Sequence, residues 1–340
     1  MAIQITRFVP TPEQYAWTFG GYAPVRRIRP GEVLDLYAED CFAGKIRGPD
    51  DLPSRSIEYP YINPQTGPFY VEGAEVGDTL AVHLIDVRPA RDWGVSTLTP
   101  FFGSLSTTRY TATLHEALPE RVWIYQVDGA AGEVVFEARD SEHHFRLPLE
   151  PFHGTVGVAP AAGEVRNVLV PESFGGNMDT PEAKAGTTLY FGVNVPGALL
   201  SLGDGHYRQG EGEACGVAVE GSMDTLLTVD VLKGVYCDWP RLEDDGSIMV
   251  AGSYRPLEDA YRIAHAELVR WISQSSGMSI FDAYQLVTQT ATSRIANVVD
   301  PNYTVVAKAP KRFLPADIRW MGGTHATLRA LGREALAARG

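Results

Sequence analysis

The residues best suited to chemistry lie between Leu199 and Glu220, in the run LLSLGDGHYRQGEGEACGVAVE. Asp204, His206, Glu211 and Glu213 are separated there by Gly203, Gly205, Gly210 and Gly212. Carboxylates and an imidazole that converge on one point are what a divalent metal requires. Glycine accepts backbone angles that a Cβ forbids, so the spacing predicts a tight, irregular turn rather than a helix. A solvated acidic hairpin loop satisfies the same pattern. A second glycine-framed segment, Gly175-Gly176-Asn177-Met178-Asp179-Thr180, is a turn that can present one carboxylate sharply, and it also reads as a simple Asx turn. Asp179, His206 and one or two of Glu211, Glu213 and Glu220 together supply mixed oxygen and nitrogen ligands. Such a set suits zinc with an open position, and its oxygen-rich part suits calcium.

Other chemistries find little footing. A dinucleotide fingerprint needs a βαβ context, and Gly203-Asp204-Gly205 has none, while its carboxylate neighbours would repel phosphate. No P-loop and no Gly-x-Ser-x-Gly elbow is present. Cys215 is the one candidate thiol nucleophile, but Glu211, Glu213 and Glu220 would raise its pKa, so it reads as a small packed residue. Asp40 at a strand end, and His153 within a strand beside Gly154, read either as structural residues or as members of a site. His265, on a helix, reads as structural.

The elements that must position these residues are mostly strands. Alternation and turn signals predict strands over 32–39, 69–71, 79–87, 122–127, 134–138, 144–147 and 152–158, and again from Thr187 and around Leu227, Val229 and Val231. Helices come late: 257–274 by its spacing of Leu257, Tyr261, Ala264, Leu268 and Trp271, and 280–297 behind an N-cap at Ser279 with Asp282 three residues on. A third helix is expected over 324–339. The expected fold is mainly β: packed antiparallel sheets, sandwich-like, with a helical pair near the C-terminus. It is read as one domain over residues 1–340, with a β-rich core at about 20–250, a helical segment at about 257–300 and the C-terminal helix after it.

Composition bounds the partners. The 340 residues carry a formal charge of −13, which repels phosphate backbones and acidic membrane surfaces, so neither nucleic acid nor membrane is expected. Hydrophobic residues make up 44%, in keeping with a soluble globular chain. The N-terminal stretch shows no secretory signal, and Cys41, Cys215 and Cys237 are odd in number and far apart, which together suggest the cytoplasm.

GGNMDT, GVNVPGALLSLGDGHYRQGEGEACGVAVE, NPQTGPFYVEGAEVGDTLAVHLIDV, EDCFAGKI, HGTVGVAP and GMSIFDAYQLVTQTATSRIANVVD together resemble the acetamidase/formamidase family. The likeness runs over roughly residues 20–315. It implies a β-rich fold, a divalent metal, zinc first and calcium second, and hydrolysis of a short amide such as formamide or acetamide to a carboxylic acid and ammonia. It carries over Asn177, Asp179, Asp204, His206, Gln209, Glu213 and Glu220. On that resemblance Asp179, His206, Glu220 and Asp204 are the expected metal residues, and Glu213, Asn177 and Gln209 the expected catalytic ones. Glu213 would take the proton from an attacking water whose pKa the metal lowers, and Asn177 would help to hold the oxyanion. The chain departs from the family's usual pattern at Glu211, where Asp is usual, at Tyr207, and in lacking the N-terminal His-x-x-Trp. A small amide is the expected partner and a homodimer the expected assembly. Two other readings fit the residues: a calcium-binding β-sandwich recognition module, and a metal-dependent C–N hydrolase of larger or cyclic amides.

Overall fold

The computed structural model describes residues 3–106 and 117–339. Two large sheets and a helical layer account for most of them. One sheet has nine strands, in the order Ile5–Phe8, Val33–Ala38, Met223–Leu232, Thr79–Pro89, Thr188–Gly192, Arg241–Glu243, Ser247–Tyr254, Tyr303–Pro310 and Thr292–Asn297. Its pairs are antiparallel except the first, Ile5–Phe8 with Val33–Ala38. The other sheet has eleven strands, and Leu200–Arg208 lies at its centre between Phe152–Gly157, Val219–Glu220 and Gln65–Val71.

The alternation read from the sequence is the cause of this arrangement. Leu34, Leu36, Leu227 and Val229 of the first sheet share one buried cluster with Phe69, Val156, Leu200 and Leu202 of the second, so the two inner faces pack on each other. The opposite face of the nine-stranded sheet packs on helix Leu257–Ser276, where Ala264, Leu268, Trp271 and Ile272 meet Tyr190, Ile248 and Val250. Helix Thr324–Arg339 lies against the same sheet through Ala335, Ile85 and Leu226. A third cluster, including Phe42, Ile46, Val95, Val122 and Val217, lies at the end of the second sheet near the site.

Three expectations change. The Asp204–His206 segment is a strand, Leu200–Arg208, rather than a turn. Its glycines serve close approach: a Cβ on Gly203 would lie 2.7 Å from the Pro64 carbonyl oxygen, and one on Gly205 2.2 Å from that of Gly221. Gly175–Asn177 is likewise a short strand, paired with Phe152–Gly157. The second helix ends at Thr290 instead of running to Asn297, and Thr292–Asn297 becomes an edge strand beside Tyr303–Pro310. Thr292 and Ile295 are β-branched and suit a pleated edge better than a helix continuing.

Candidate active site

Neighbouring strands in the second sheet bring the polar residues together. Glu220 is the cross-strand partner of His206, and Asn177 is that of Thr155. Gly154, on the strand next to Leu200–Arg208, leaves the space these side chains use: a Cβ there would lie 2.5 Å from Asp204 Oδ2, 2.6 Å from Asp179 Oδ1 and 2.9 Å from His206 Cε1. Asp204, at φ 56, and Asp179, at φ 47, both hold the left-handed backbone conformation, which Asp tolerates better than most residues. Glu213, at φ 49, follows Gly212 in the turn Glu211–Glu213 and is directed inward.

Asp179, Asp204, His206, Glu213, Glu220 and Asp300 are all between 1% and 7% exposed. Ligand atoms of Asp179, Asp204 and His206 lie within 4.8 Å of one another, and so do those of His206, Glu213 and Glu220. His206 Nε2 is 3.3 Å from Glu220 Oε2 and 3.4 Å from Asp204 Oδ2. Its other nitrogen, Nδ1, donates to Gln209 Oε1 at 2.8 Å. The orientation of that amide is fixed, since Gln209 Nε2 donates to the carbonyls of Asp179 and Ala296, both at 2.9 Å. Gln209 therefore sets the ring so that Nε2 faces the carboxylates. Asn177 braces two of them, its Nδ2 donating to Asp300 Oδ2 at 2.8 Å and to Asp179 Oδ2 at 3.2 Å, which takes both amide hydrogens. Asn177 Oδ1 accepts from Asn63 Nδ2 and from the Thr155 hydroxyl.

Crowding so much negative charge in a dry place has electrostatic consequences. Burial, and then neighbouring carboxylates, push the Asp179 and Glu213 carboxyls well above the usual range. Burial raises those of Glu220 and Asp300 to about 7. Burial also acts to raise Asp204, but His206 and Thr155 bring it below its ordinary value. Burial opposes the His206 imidazolium, yet Glu220 and Asp204 hold its pKa well above 6.5. Asp179 Oδ1, His206 Nε2 and Glu220 Oε2 are buried without a hydrogen-bond partner. Among the described residues, no Lys or Arg lines the cavity onto which the cluster opens. A single imidazolium cannot balance five carboxylates, so the donor set fits a divalent cation.

The remaining expected residues lie elsewhere. Glu211 is exposed and faces Arg294, 3.5 Å away. Cys215 is exposed and does not line the cavity. Asp40 builds a loop, accepting from the backbone N–H of Phe42 and Gly44 and pairing with Arg91 at 2.6 Å. His153 is buried with both ring nitrogens engaged, by the Gly203 carbonyl and the Thr225 hydroxyl, and burial lowers its pKa to about 4. Sequence reasoning missed Asp300, Asn63, Thr155 and Cys41. Cys41 has its sulfur within 4.8 Å of Asp204 and Glu220 ligand atoms, and burial pushes its thiol up. Asp300 carried one usable signal, the Asp-Pro-Asn turn at 300–302 between two strands.

The cavity holds about 500 Å³, and its floor includes Asn63, Asn177, Asp204, His206, Glu213, Glu220 and Asp300. The acetamidase/formamidase family model matches residues 21–167 and 158–316. The chain belongs to this family. An acetamidase from Yersinia enterocolitica is similar at 38% identity and TM-score 0.85, over 92% of this chain and 93% of that one. An acetamidase from Bacillus halodurans is similar at 29% identity and TM-score 0.80, over 90% and 98%. A formamidase from Methylophilus methylotrophus is 25% identical over 63% of this chain and 62% of its own length. The chain thus spans about three fifths of the length of the curated relatives it matches. A γ-lactamase from Delftia acidovorans shares the fold at 20% identity and TM-score 0.56. No helix among the described residues is long and apolar enough to cross a membrane.

Proposed function

We propose that this protein hydrolyses a linear carboxamide to the carboxylic acid and ammonia, with a divalent metal held by Asp179, Asp204, His206 and Glu220. The observation that carries the reading is the set of three buried, unpartnered ligand atoms, Asp179 Oδ1, His206 Nε2 and Glu220 Oε2, with His206 shared by two adjoining groups of ligand atoms, one with Asp179 and Asp204 and the other with Glu213 and Glu220. Buried polar atoms without partners are costly, and a bound cation removes that cost. Family membership and the names of its relatives point to amides as substrates. Zinc is the proposed ion, because an imidazole nitrogen among carboxylates suits it better than calcium's all-oxygen shell.

Such an ion supplies Lewis-acid polarisation of the amide carbonyl and a water of near-neutral pKa. The chain's own residues do the rest. Gln209 holds the His206 ring with Nε2 inward. Asn177 and Gly154 fix where Asp179, Asp204 and Asp300 sit. Glu213, lining the cavity near His206 and Glu220, accepts a proton as the water oxygen bonds to the carbonyl carbon. It returns that proton to the nitrogen as the C–N bond breaks, and ammonia leaves.

Glu213→Gln keeps the shape of the side chain but cannot take a proton. Metal stoichiometry and kcat measured on one purified sample test the assignment. The expected result is full metal content with kcat lower by about 10²–10⁴-fold. Unchanged kcat removes the base role, and loss of metal together with activity makes Glu213 a ligand.

A further inference from the structure

The cavity is much larger than the smallest amides need. At about 30 Å³ per non-hydrogen atom, the share of a water in its own liquid, a space of about 500 Å³ holds roughly seventeen such atoms, and formamide has three. Most of its polar groups are gathered into the hydrogen-bonded and carboxylate cluster around His206, with Ser54, Tyr59, Thr99 and Glu120 apart from it. Much of the remaining wall is apolar: Phe42, Ile57, Ile62, Phe102 and Val217 line the cavity and belong to a single hydrophobic cluster. Ile57, Ile62 and Phe102 are only partly buried by the protein itself, so they keep apolar surface for an occupant.

Charge narrows the occupant further. Among the described residues, the lining includes Asp204, Glu213, Glu220 and Asp300, and no Lys or Arg. Glu120, another lining residue, is held by the Ser54 N–H at 2.6 Å and the Ser54 hydroxyl at 2.7 Å. Apart from His206 and the proposed metal, which the amide itself would engage, an acyl group bearing a carboxylate would meet negative charge with no Lys or Arg among the described lining residues to answer it. A small polar amide alone would leave water against the apolar wall, which is unfavourable.

We infer that the preferred substrates are neutral primary amides whose acyl group is apolar and about the size of a phenyl ring or a five-carbon chain, rather than formamide or acetamide. The inference rests on the amide-hydrolysis reading above and specifies its substrate class.

Ammonia release by the purified protein with added zinc tests it, using formamide, acetamide, hexanamide, 2-phenylacetamide and succinamic acid. A buried methylene is worth about fourfold in binding. Hexanamide, with four more methylenes, is therefore expected to exceed acetamide in kcat/KM by roughly 250-fold. Phenylacetamide should exceed formamide by at least tenfold, and succinamic acid should be turned over least. In Ile57→Trp, the ratio of kcat/KM for phenylacetamide to that for acetamide should fall by at least tenfold, because the indole occupies the space of the phenyl group. Formamide or acetamide as the best substrate would overturn the inference and leave the amidase reading standing. An unchanged ratio in Ile57→Trp would also overturn it. Failure to release ammonia from any of the five would bring down the amidase reading and this inference with it.

Discussion

Replacing Gly154 by alanine puts a methyl group where two carboxylates meet. The residue lies in strand Phe152–Gly157, outside the left-handed region, so alanine's backbone preference is satisfied and the effect is one of space alone. The new Cβ would be 2.5 Å from Asp204 Oδ2 and 2.6 Å from Asp179 Oδ1. To reach ordinary contact at 3.4 Å, those oxygens must withdraw by 0.9 and 0.8 Å. His206 Cε1, at 2.9 Å, must move as well. A displacement near 1 Å in a catalytic constellation costs about 10²-fold in rate. Overpacking of this kind costs about 1–3 kcal/mol of stability. Gly154→Ala should therefore lose about two orders of magnitude in kcat/KM and much of its bound metal, while still folding. Gly129→Ala is the control, because a Cβ there meets nothing within 4 Å. Ammonia release, metal content and urea unfolding on both variants provide the assay. Full metal content and kcat/KM within fivefold of the parent in Gly154→Ala would refute the assignment of this space to the site.

Gln209→Leu removes the acceptor for His206 Nδ1 and should weaken metal affinity by about 10–100-fold, read by competition with a chelator; unchanged affinity would show that the ring is held by its packing alone. Cys215→Ala should leave kcat within twofold, since the thiol is exposed and off the cavity; abolished turnover with metal and fold intact would instead establish a thiol nucleophile. His83, buried beside Thr188 and facing His325, Arg329 and Asp245, has its pKa lowered from 6.5 to about 4, first by burial and then by His325 and Arg329. The unfolded chain therefore binds the extra proton between those values, so this group's contribution is intact above pH 6.5 and falls by about 3 kcal/mol as pH drops to 4. Urea unfolding of the parent and of His83→Asn over that window should show the smaller pH slope in the variant, and equal slopes would rule the effect out.

The strands were legible from apolar, β-branched runs bounded by turn residues, although residues 79–85 are buried on both faces. Val33–Ala38, Thr79–Pro89 and Met223–Leu232 could be read in this way, and helix Leu257–Ser276 from its three- and four-residue spacing. Where the reading failed, a tertiary contact was responsible. Glycine at 203 and 205 looked like turn chemistry, yet both positions are glycine because neighbouring backbone leaves no room for a Cβ. Periodicity records which face of an element is apolar, and it carries nothing about how closely the next strand approaches.

The same limit explains which site residues were visible. Asp204, His206 and Glu220 are local to one strand and its cross-strand partner, so they stood in one motif. Asp300 is 96 positions from Asp204 and reaches the site only because the chain leaves the helix at Thr290 and runs as an edge strand to Asn297. That edge strand does three things at once. It offers the Ala296 carbonyl to Gln209, sets Asn297 against the carbonyls of Asn177 and Met178, and delivers Asp300 to the Asn177 amide. A helix continued through 297, as periodicity alone suggested, would not present this line of groups to the sheet. The helix-to-strand change is thus what closes the far side of the carboxylate cluster, and the strand that follows it carries the β-branched residues Thr292 and Ile295.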